Sequence, residues 1–225
     1  MQAKLFNVAI DGPSAAGKGT ISKQIAKQFS LISIDTGAMY RAVALNIIRH
    51  QVNFDNNQDI LRVLSETSIS FNKFGHVLLN GEDVSSLIRS QEISDATSRL
   101  SENTLIRTEL VKQQQEIAKN KGFILEGRDI GSVVLPDAEV KIFLTASEES
   151  RAKRRHLEYI EKGLDTSFAE VLQEINERDL RDSTRDHSPL ILANDAIIVD
   201  TSNLNIEESV AKITEIIYKK LGELS

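Results

Sequence analysis

Between Asp11 and Thr20 the chain reads Asp11-Gly12-Pro13-Ser14-Ala15-Ala16-Gly17-Lys18-Gly19-Thr20, directly after the apolar run Phe6-Asn7-Val8-Ala9-Ile10. Glycines bounding a short loop let backbone N–H groups close on an anion with no Cβ in the way, and a lysine at the mouth of the next helix adds a point charge. This is the spacing of a P-loop that cradles nucleotide phosphates. Gly12, Pro13, Ser14, Ala15, Ala16, Gly17, Lys18, Gly19 and Thr20 are therefore the candidate residues for a nucleoside triphosphate. One position departs from the pattern. Gly19 stands where Ser or Thr usually ligates Mg²⁺, and the hydroxyl comes one place later at Thr20. The ion dehydrates reluctantly, so it is expected to be held mainly through water, with Thr20, Asp35 and Glu126 as candidates.

The second chemical feature is positive charge gathered in an acidic chain. The 225 residues carry a formal net charge of −6 and a pI near 5.4. That balance argues against a broad surface for a nucleic acid polymer, which needs excess positive charge. Yet six arginines, Arg151, Arg154, Arg155, Arg178, Arg181 and Arg185, crowd one stretch. Guanidinium groups concentrated in this way suit a small polyanion. Cysteine is absent, which excludes disulfides, thiol catalysis and cysteine-ligated metals. The four histidines, His50, His76, His156 and His187, lack metal-ligand spacing. The N-terminus has no signal-peptide pattern and no apolar run nears membrane-spanning length, so a cytoplasmic protein without membrane contact is expected.

These groups need a scaffold. Ile21, Ile25, Ala26 and Phe29 share one helical face after the loop, and Leu31–Ile34 reads as a second strand ending at Asp35-Thr36-Gly37. A helix through Ile48 follows, with Tyr40 and Arg41 near its start. From about Asn53 to Ile117 the pattern changes. A helical segment around Ile60–Leu64 precedes apolar runs at Ser68–Phe71 and Val77–Leu79, with turns expected at Asn72–His76 and Asn80–Asp83, which predicts a small antiparallel sheet. Helical sequence returns through Ile93–Leu100 and Leu105–Ile117. Further strands are expected at Phe123–Glu126, Val140–Leu144 and Ala196–Asp200, and a closing helix over Ile206–Leu221. Between the last two strands lies the arginine-rich piece, where Gly163 interrupts one helix and Phe168–Asp182 forms another.

Short apolar strands separated by helices are the pattern of a parallel sheet covered on both faces. The expected architecture is α/β: a P-loop NTPase-type three-layer fold with a five-stranded parallel sheet, a substrate-binding insertion with a small antiparallel sheet, and a helical lid. In one kinase unit over 1–225, the core takes 1–35, 118–147 and 190–225, the acceptor region 36–117 and the lid 148–189.

A P-loop alone leaves open a kinase, a GTPase-like switch or a motor ATPase. The guanine-reading pattern Asn-Lys-x-Asp is missing, and a motor normally needs a larger assembly or a nucleic-acid surface. Phosphoryl transfer to a second small molecule remains, and that reaction needs positioning and charge stabilisation more than covalent chemistry. Four stretches in order then narrow the reading: Asp11–Thr20, Asp35-Thr36-Gly37-Ala38-Met39-Tyr40-Arg41, Glu126-Gly127-Arg128-Asp129-Ile130-Gly131, and Glu177-Arg178-Asp179-Leu180-Arg181-Asp182 through Arg185. Together they strongly resemble the bacterial cytidylate kinases over essentially the whole chain.

The resemblance implies transfer of the γ-phosphoryl of ATP to CMP or dCMP with Mg²⁺, by a monomer. It implies that Lys18 and the P-loop hold the ATP phosphates, that Thr36, Tyr40 and Arg41 lie at CMP, and that Ser98, Arg107 and Asp129 read cytosine. Arg128 and Arg185 match further acceptor-site positions, Arg178 and Asp182 match residues near the pentose, and Arg154 and Arg155 belong to the lid. Lys18, Arg128, Arg154, Arg155 and Arg178 are thus the candidate catalytic cations. Thr36 stands where the family commonly has Ser, and Glu126 where some members have Asp; both keep the functional group. Without the resemblance, Arg107 and Arg185 read rather as surface salt-bridge residues and Ser98 as a helix residue bonded to its own backbone, while Glu126 reads equally as a polar strand end. A kinase for another nucleoside monophosphate such as UMP, or an ATP-binding regulatory module, are the competing functions.

Overall fold

The computed structural model describes residues 5–72 and 75–223, which fall into two units, residues 1–33 with 120–225 and residues 34–119. In the first unit β1 (Val8–Asp11) runs down the middle of a five-stranded sheet, with α1 (Lys18–Phe29) opening directly after the P-loop. The strand order is β2-β6-β1-β7-β8, with β2 at Ile32–Asp35, β6 at Phe123–Gly127, β7 at Val140–Thr145 and β8 at Ile197–Asp200. β1 pairs in parallel with β6 and with β7, and β7 with β8. Val8, Ala9 and Ile10 are fully buried, as a central strand covered on both faces requires.

The register decides where the loops emerge. Asp11 lies opposite Gly127 of β6 and Phe143 of β7. Parallel strands ending at one level deliver the chain after β1, after β6 and after β7 to the same edge, where open α/β sheets bind ligands. α1 and α8 (Ile206–Glu223) cover the sheet through Ile21, Ile25, Ile213 and Ile217, packed on Val8, Ile10, Ile142 and Val199. Each such buried side chain contributes roughly 2 kcal/mol. α1 ends because Ser30 turns left-handed (φ 55°) and the backbone N–H of Leu31 closes on Ala26.

The arginine-rich piece forms α6 (Glu148–Glu161) and α7 (Phe168–Thr184), joined past Gly163, whose φ of 73° a side chain would resist. α7 starts on a capping box in which Ser167 and Glu170 satisfy each other's backbone N–H. The pair has its own small core of Ala152, Tyr159, Val171 and Ile175.

The second unit holds α2 (Thr36–Arg49), α3 (Asn57–Ser65), α4 (Gln91–Leu100), α5 (Thr104–Ala118) and an antiparallel sheet of β3 (Ile69–Phe71), β4 (Val77–Leu79) and β5 (Glu82–Asp83). Asp35, Asn56, Ser90 and Asn103 cap the four helices through their side chains. The turn expected over Asn80–Asp83 is shorter than predicted. Asn80 and Gly81 make it, with φ of 50° and 86°, and Glu82–Asp83 already pair with Leu78 and Leu79. At the other turn Asn72 N–H donates to His76 O; residues 73 and 74 lie outside the described residues. Among the described residues no helix is long and apolar enough to cross a membrane.

Candidate active site

The P-loop backbone has little freedom in what it can be. Gly12 has φ 149°, and a Cβ there would stand 1.9 Å from the Leu144 carbonyl oxygen of β7. Gly17, at φ 92°, is the N-cap of α1, whose first N–H groups are left for a ligand. Gly12→Ala is expected to destabilise the protein by about 4 kcal/mol, since both the backbone conformation and the contact fail. A thermal melt within a few degrees of the parent would contradict this reading of the loop.

Lys18 is buried, and its Nζ donates to Gly12 O and Pro13 O, each at 2.7 Å. Burial pulls its pKa well below the usual lysine value and the Arg128 guanidinium adds to the fall, opposed by Glu126, Asp182 and Asp11. The departure at Gly19 has a physical reason. Glu126, buried at the end of β6, puts Oε1 3.1 Å from where a Cβ on Gly19 would stand. A serine or threonine there would press on that carboxylate, which would have to give by a few tenths of an ångström, so an acidic group occupies the neighbourhood that a hydroxyl usually fills. One buried carboxylate beside the phosphate loop, with Thr20 exposed next to it, suits a hydrated Mg²⁺ rather than a caged one. Among the described residues no cluster of three or more His, Asp or Glu could hold a metal ion directly.

After β6 the chain presents Arg128 and Asp129, both close to the strand end. Arg128 Nε donates to Asp182 Oδ2 at 2.7 Å. Burial is the largest effect on the Arg128 pKa and lowers it, but Asp182, Asp179 and Glu126 together outweigh burial and the net direction is up. Asp182 shows the mirror image: burial raises its pKa, and Arg128 and Arg178 pull it below the ordinary carboxylate value. Arg185 caps α7, donates to Ser188 O at 2.6 Å, and brings NH1 to 3.9 Å from Asp182 Oδ1. Its side chain is buried, so the surface salt-bridge alternative fails for it. Asp129 is buried at the start of a π-helical turn, Ile130–Val134. The first unit thus brings the charged side chains of Lys18, Glu126, Arg128, Asp182 and Arg185 together at one end of the sheet, opposite charges interleaved.

The two α6 arginines expected at ATP divide. Arg155 lies 5.8 Å from the Tyr159 ring centroid and reaches Ser14 Oγ at 3.4 Å. Arg154 instead donates to Thr201 O at 2.5 Å and Ala16 O at 3.4 Å, and burial lowers its pKa. Two groups to which sequence reasoning gives no individual role hold the loop's tip. Asp179 accepts from Ser14 N–H, and Arg151, fully enclosed, donates to both Asp179 and Ser14 O. The Arg178-Asp179 pair inside the fourth motif is the signal available in the sequence.

In the second unit Asp35 accepts from Ala38 N–H at 3.0 Å and from Arg41 NH2 at 2.7 Å. Asp35 is therefore committed to capping α2 and aiming Arg41, which weakens it as a metal candidate. Thr36 and Tyr40 are buried on the first turns of α2. Arg107 is also buried; its guanidinium lies 5.5 Å from the Tyr40 ring centroid and donates to Ser101 O at 2.9 Å. A surface salt bridge is excluded for it too. Ser98 is half-buried on α4, and its carbonyl accepts from Ser101 Oγ.

The cytidylate kinase family profile matches residues 8–219. A cytidylate kinase of Caldicellulosiruptor saccharolyticus is 50% identical over 222 residues, covering 97% of this chain and 98% of that one. One from Bacillus cereus is 46% identical over 217 residues, covering 95% and 96%. Among solved structures, the fold is similar to shikimate kinase from Bacteroides thetaiotaomicron, with TM-score 0.50 and 12% identity over 96% of this chain and 99% of that one.

Proposed function

The chain belongs to the cytidylate kinase family, and on that premise we propose how its residues divide the work. The enzyme transfers the γ-phosphoryl group of ATP to CMP or dCMP, giving ADP and CDP or dCDP. An oxygen of the acceptor phosphate forms the new bond to the γ-phosphorus as the bond to the β,γ-bridging oxygen breaks, and ADP leaves with that oxygen. The nucleophile is already an anion, so no histidine base is required. The protein's task is alignment and neutralisation of charge on the equatorial oxygens.

Gly12 through Thr20 hold the ATP phosphates, with Lys18 on the transferring group. Arg128, Arg154, Arg155 and Arg178 supply further positive charge. Arg41 takes the acceptor phosphate beside Thr36 and Tyr40; Ser98, Arg107 and Asp129 read the base; Arg178, Asp182 and Arg185 serve the sugar and phosphate. Cytosine offers an amino donor to a carboxylate, and N3 and O2 acceptors to guanidinium and hydroxyl groups. Mg²⁺, when bound, neutralises phosphate charge. Glu126 and Thr20 would hold it through water, whereas Asp35 is already engaged by Ala38 and Arg41. We read residues 36–117 as the acceptor region, 148–189 as the lid and the remainder as the core of one kinase unit. We place the enzyme in the cytoplasm in pyrimidine nucleotide metabolism, as a monomer, on the family likeness.

The observation that supports the residue assignments is the convergence of Lys18 and Arg128 with the carboxylates Glu126, Asp129 and Asp182 at the end of the sheet that carries the P-loop. It is tested by ADP release from MgATP with CMP, dCMP, UMP, AMP or GMP, alongside Asp129→Ala. A response confined to CMP and dCMP and reduced about a hundredfold in the variant is expected. Activity spread over the panel, or unchanged by the substitution, would remove Asp129 from the base site. ATP binding without acceptor-dependent ADP release would favour a regulatory module.

A further inference from the structure

Two buried side chains with no assigned part in binding or transfer converge on one short segment. Asp11, the last residue of β1, accepts Ile130 N–H through Oδ1 and Gly131 N–H through Oδ2, each at 2.7 Å. Lys141 of β7 reaches the segment from another side. Its Cδ is 3.2 Å from where a Cβ on Gly131 would stand, while its Nζ donates to Pro136 O and, at 2.8 Å, to Asp195 Oδ1. Between these anchors runs the π-helical turn Ile130–Val134, in which Val133 and Val134 both donate to Asp129 O and Leu135 donates to Ile130 O. A single π turn is a wide and uncommon conformation that persists where its surroundings hold it. The residues immediately before it are Arg128 and Asp129.

The sheet register explains why these two side chains do the holding. Asp11 lies opposite Gly127 of β6, and Lys141 lies opposite Ala9 of β1, so the two anchors stand on neighbouring strands at the centre of the sheet. Burying a carboxylate and an ammonium is costly, and an aliphatic pair of similar volume would fill the space at lower cost. What an aliphatic pair lacks is direction. Two charge-assisted bonds to consecutive N–H groups fix the orientation of peptides 130 and 131, and with it the direction in which Asp129 leaves the strand. Gly131 leaves no slack, because an added Cβ would also stand 3.3 Å from Asp11 Oδ2.

We propose that Asp11 and Lys141 are positioning residues that clamp the turn Ile130–Val134, set the aim of Arg128 and Asp129, and so determine selectivity for the acceptor base. The inference rests on the assignment of Asp129 to the base. It is tested by kcat/KM for CMP and for UMP in the parent, Asp11→Asn, Lys141→Met and Asp129→Asn, with KM for MgATP and amide hydrogen exchange at 130 and 131. Asp11→Asn keeps the shape but turns an NH2 group toward a backbone N–H; Lys141→Met keeps the stem against Gly131 and removes the donor. The preference for CMP over UMP is expected to fall about tenfold in Asp11→Asn and about threefold in Lys141→Met, with KM for MgATP within about twofold and faster exchange at both amides. A lower kcat with the preference intact marks a merely structural role and overturns the proposal. If Asp129→Asn loses the preference while both clamp variants keep it, the clamp is overturned and the base assignment stands. If Asp129→Asn itself keeps the preference, the base assignment fails and the selectivity claim falls with it. Should Asp11→Asn not fold, Lys141→Met decides by the same measurements.

Discussion

Lys18→Ala is expected to lower kcat for CMP phosphorylation by at least about 10³-fold and to leave a folded protein. Its Nζ sits against the Gly12 and Pro13 carbonyls at 2.7 Å, buried, with burial and Arg128 both working against its charge. Acidic neighbours offset this only in part, and on the proposed reading the ATP phosphates add the remaining counter-charge. The attraction grows as charge shifts toward the bridging oxygen during transfer, so the loss should appear in kcat and not only in KM. For stability two opposing effects nearly cancel: two hydrogen bonds to carbonyls disappear, and so does the cost of burying an ammonium. The net change should be within about 1 kcal/mol. ADP release at saturating CMP, read beside a thermal melt, checks both halves. Turnover within about tenfold of the parent would sink the phosphate-site assignment.

The sequence made the scaffold legible wherever one local rule decided the structure. The apolar runs at Val8–Asp11, Val140–Thr145 and Ile197–Asp200 are short, continuous and bounded by turns, as strands of a covered parallel sheet are. Gly12 and Gly17 announce their backbone angles. Local rules end where a side chain answers to a distant strand. Gly19 looks like a defect in the P-loop until Glu126 is found beside it. Asp11 reads as the end of a strand, and only the pairing of β1 with β6 brings it to the amides of residues 130 and 131. Arg107 and Arg185 cannot be told from surface residues by spacing, since their burial comes from tertiary packing; the family resemblance supplies what periodicity does not. The π turn has no sequence signal because its hydrogen bonds depend on Asp11 holding it open from outside. β5 escapes the sequence for a related reason: two residues carry no alternation pattern, and their strand conformation comes from pairing with β4.

Asp182→Ala is expected to cost about 3 kcal/mol of stability, because it leaves neighbouring guanidinium groups without their shared counter-charge. Arg128 donates to this carboxylate at 2.7 Å, Arg185 approaches to 3.9 Å, and Arg178 adds its field. The sign of the pH dependence follows from direction. Asp182 has its pKa lowered from 3.8, so its contribution is present above that value and is lost as pH falls through the lower folded-state pKa. The stability gap between parent and variant should therefore stay constant from neutral pH down to about 4 and close below it. Asp11 runs the opposite way. Burial, only partly opposed by the Gly131 and Ile130 N–H groups, pushes its pKa from 3.8 up to about 6. Its stabilising contribution is full below 3.8 and lost as pH rises through about 6, equally in parent and variant, so it shapes both curves and leaves their difference alone. Anions separate a binding cluster from a merely structural one. If these arginines are built to receive a nucleotide phosphate, sulfate should raise the melting temperature of Asp182→Ala more than that of the parent, because the vacated positive field is stronger. Equal response to sulfate in both proteins, with a stability gap unchanged down to pH about 2, would show that Asp182 does not balance this cluster.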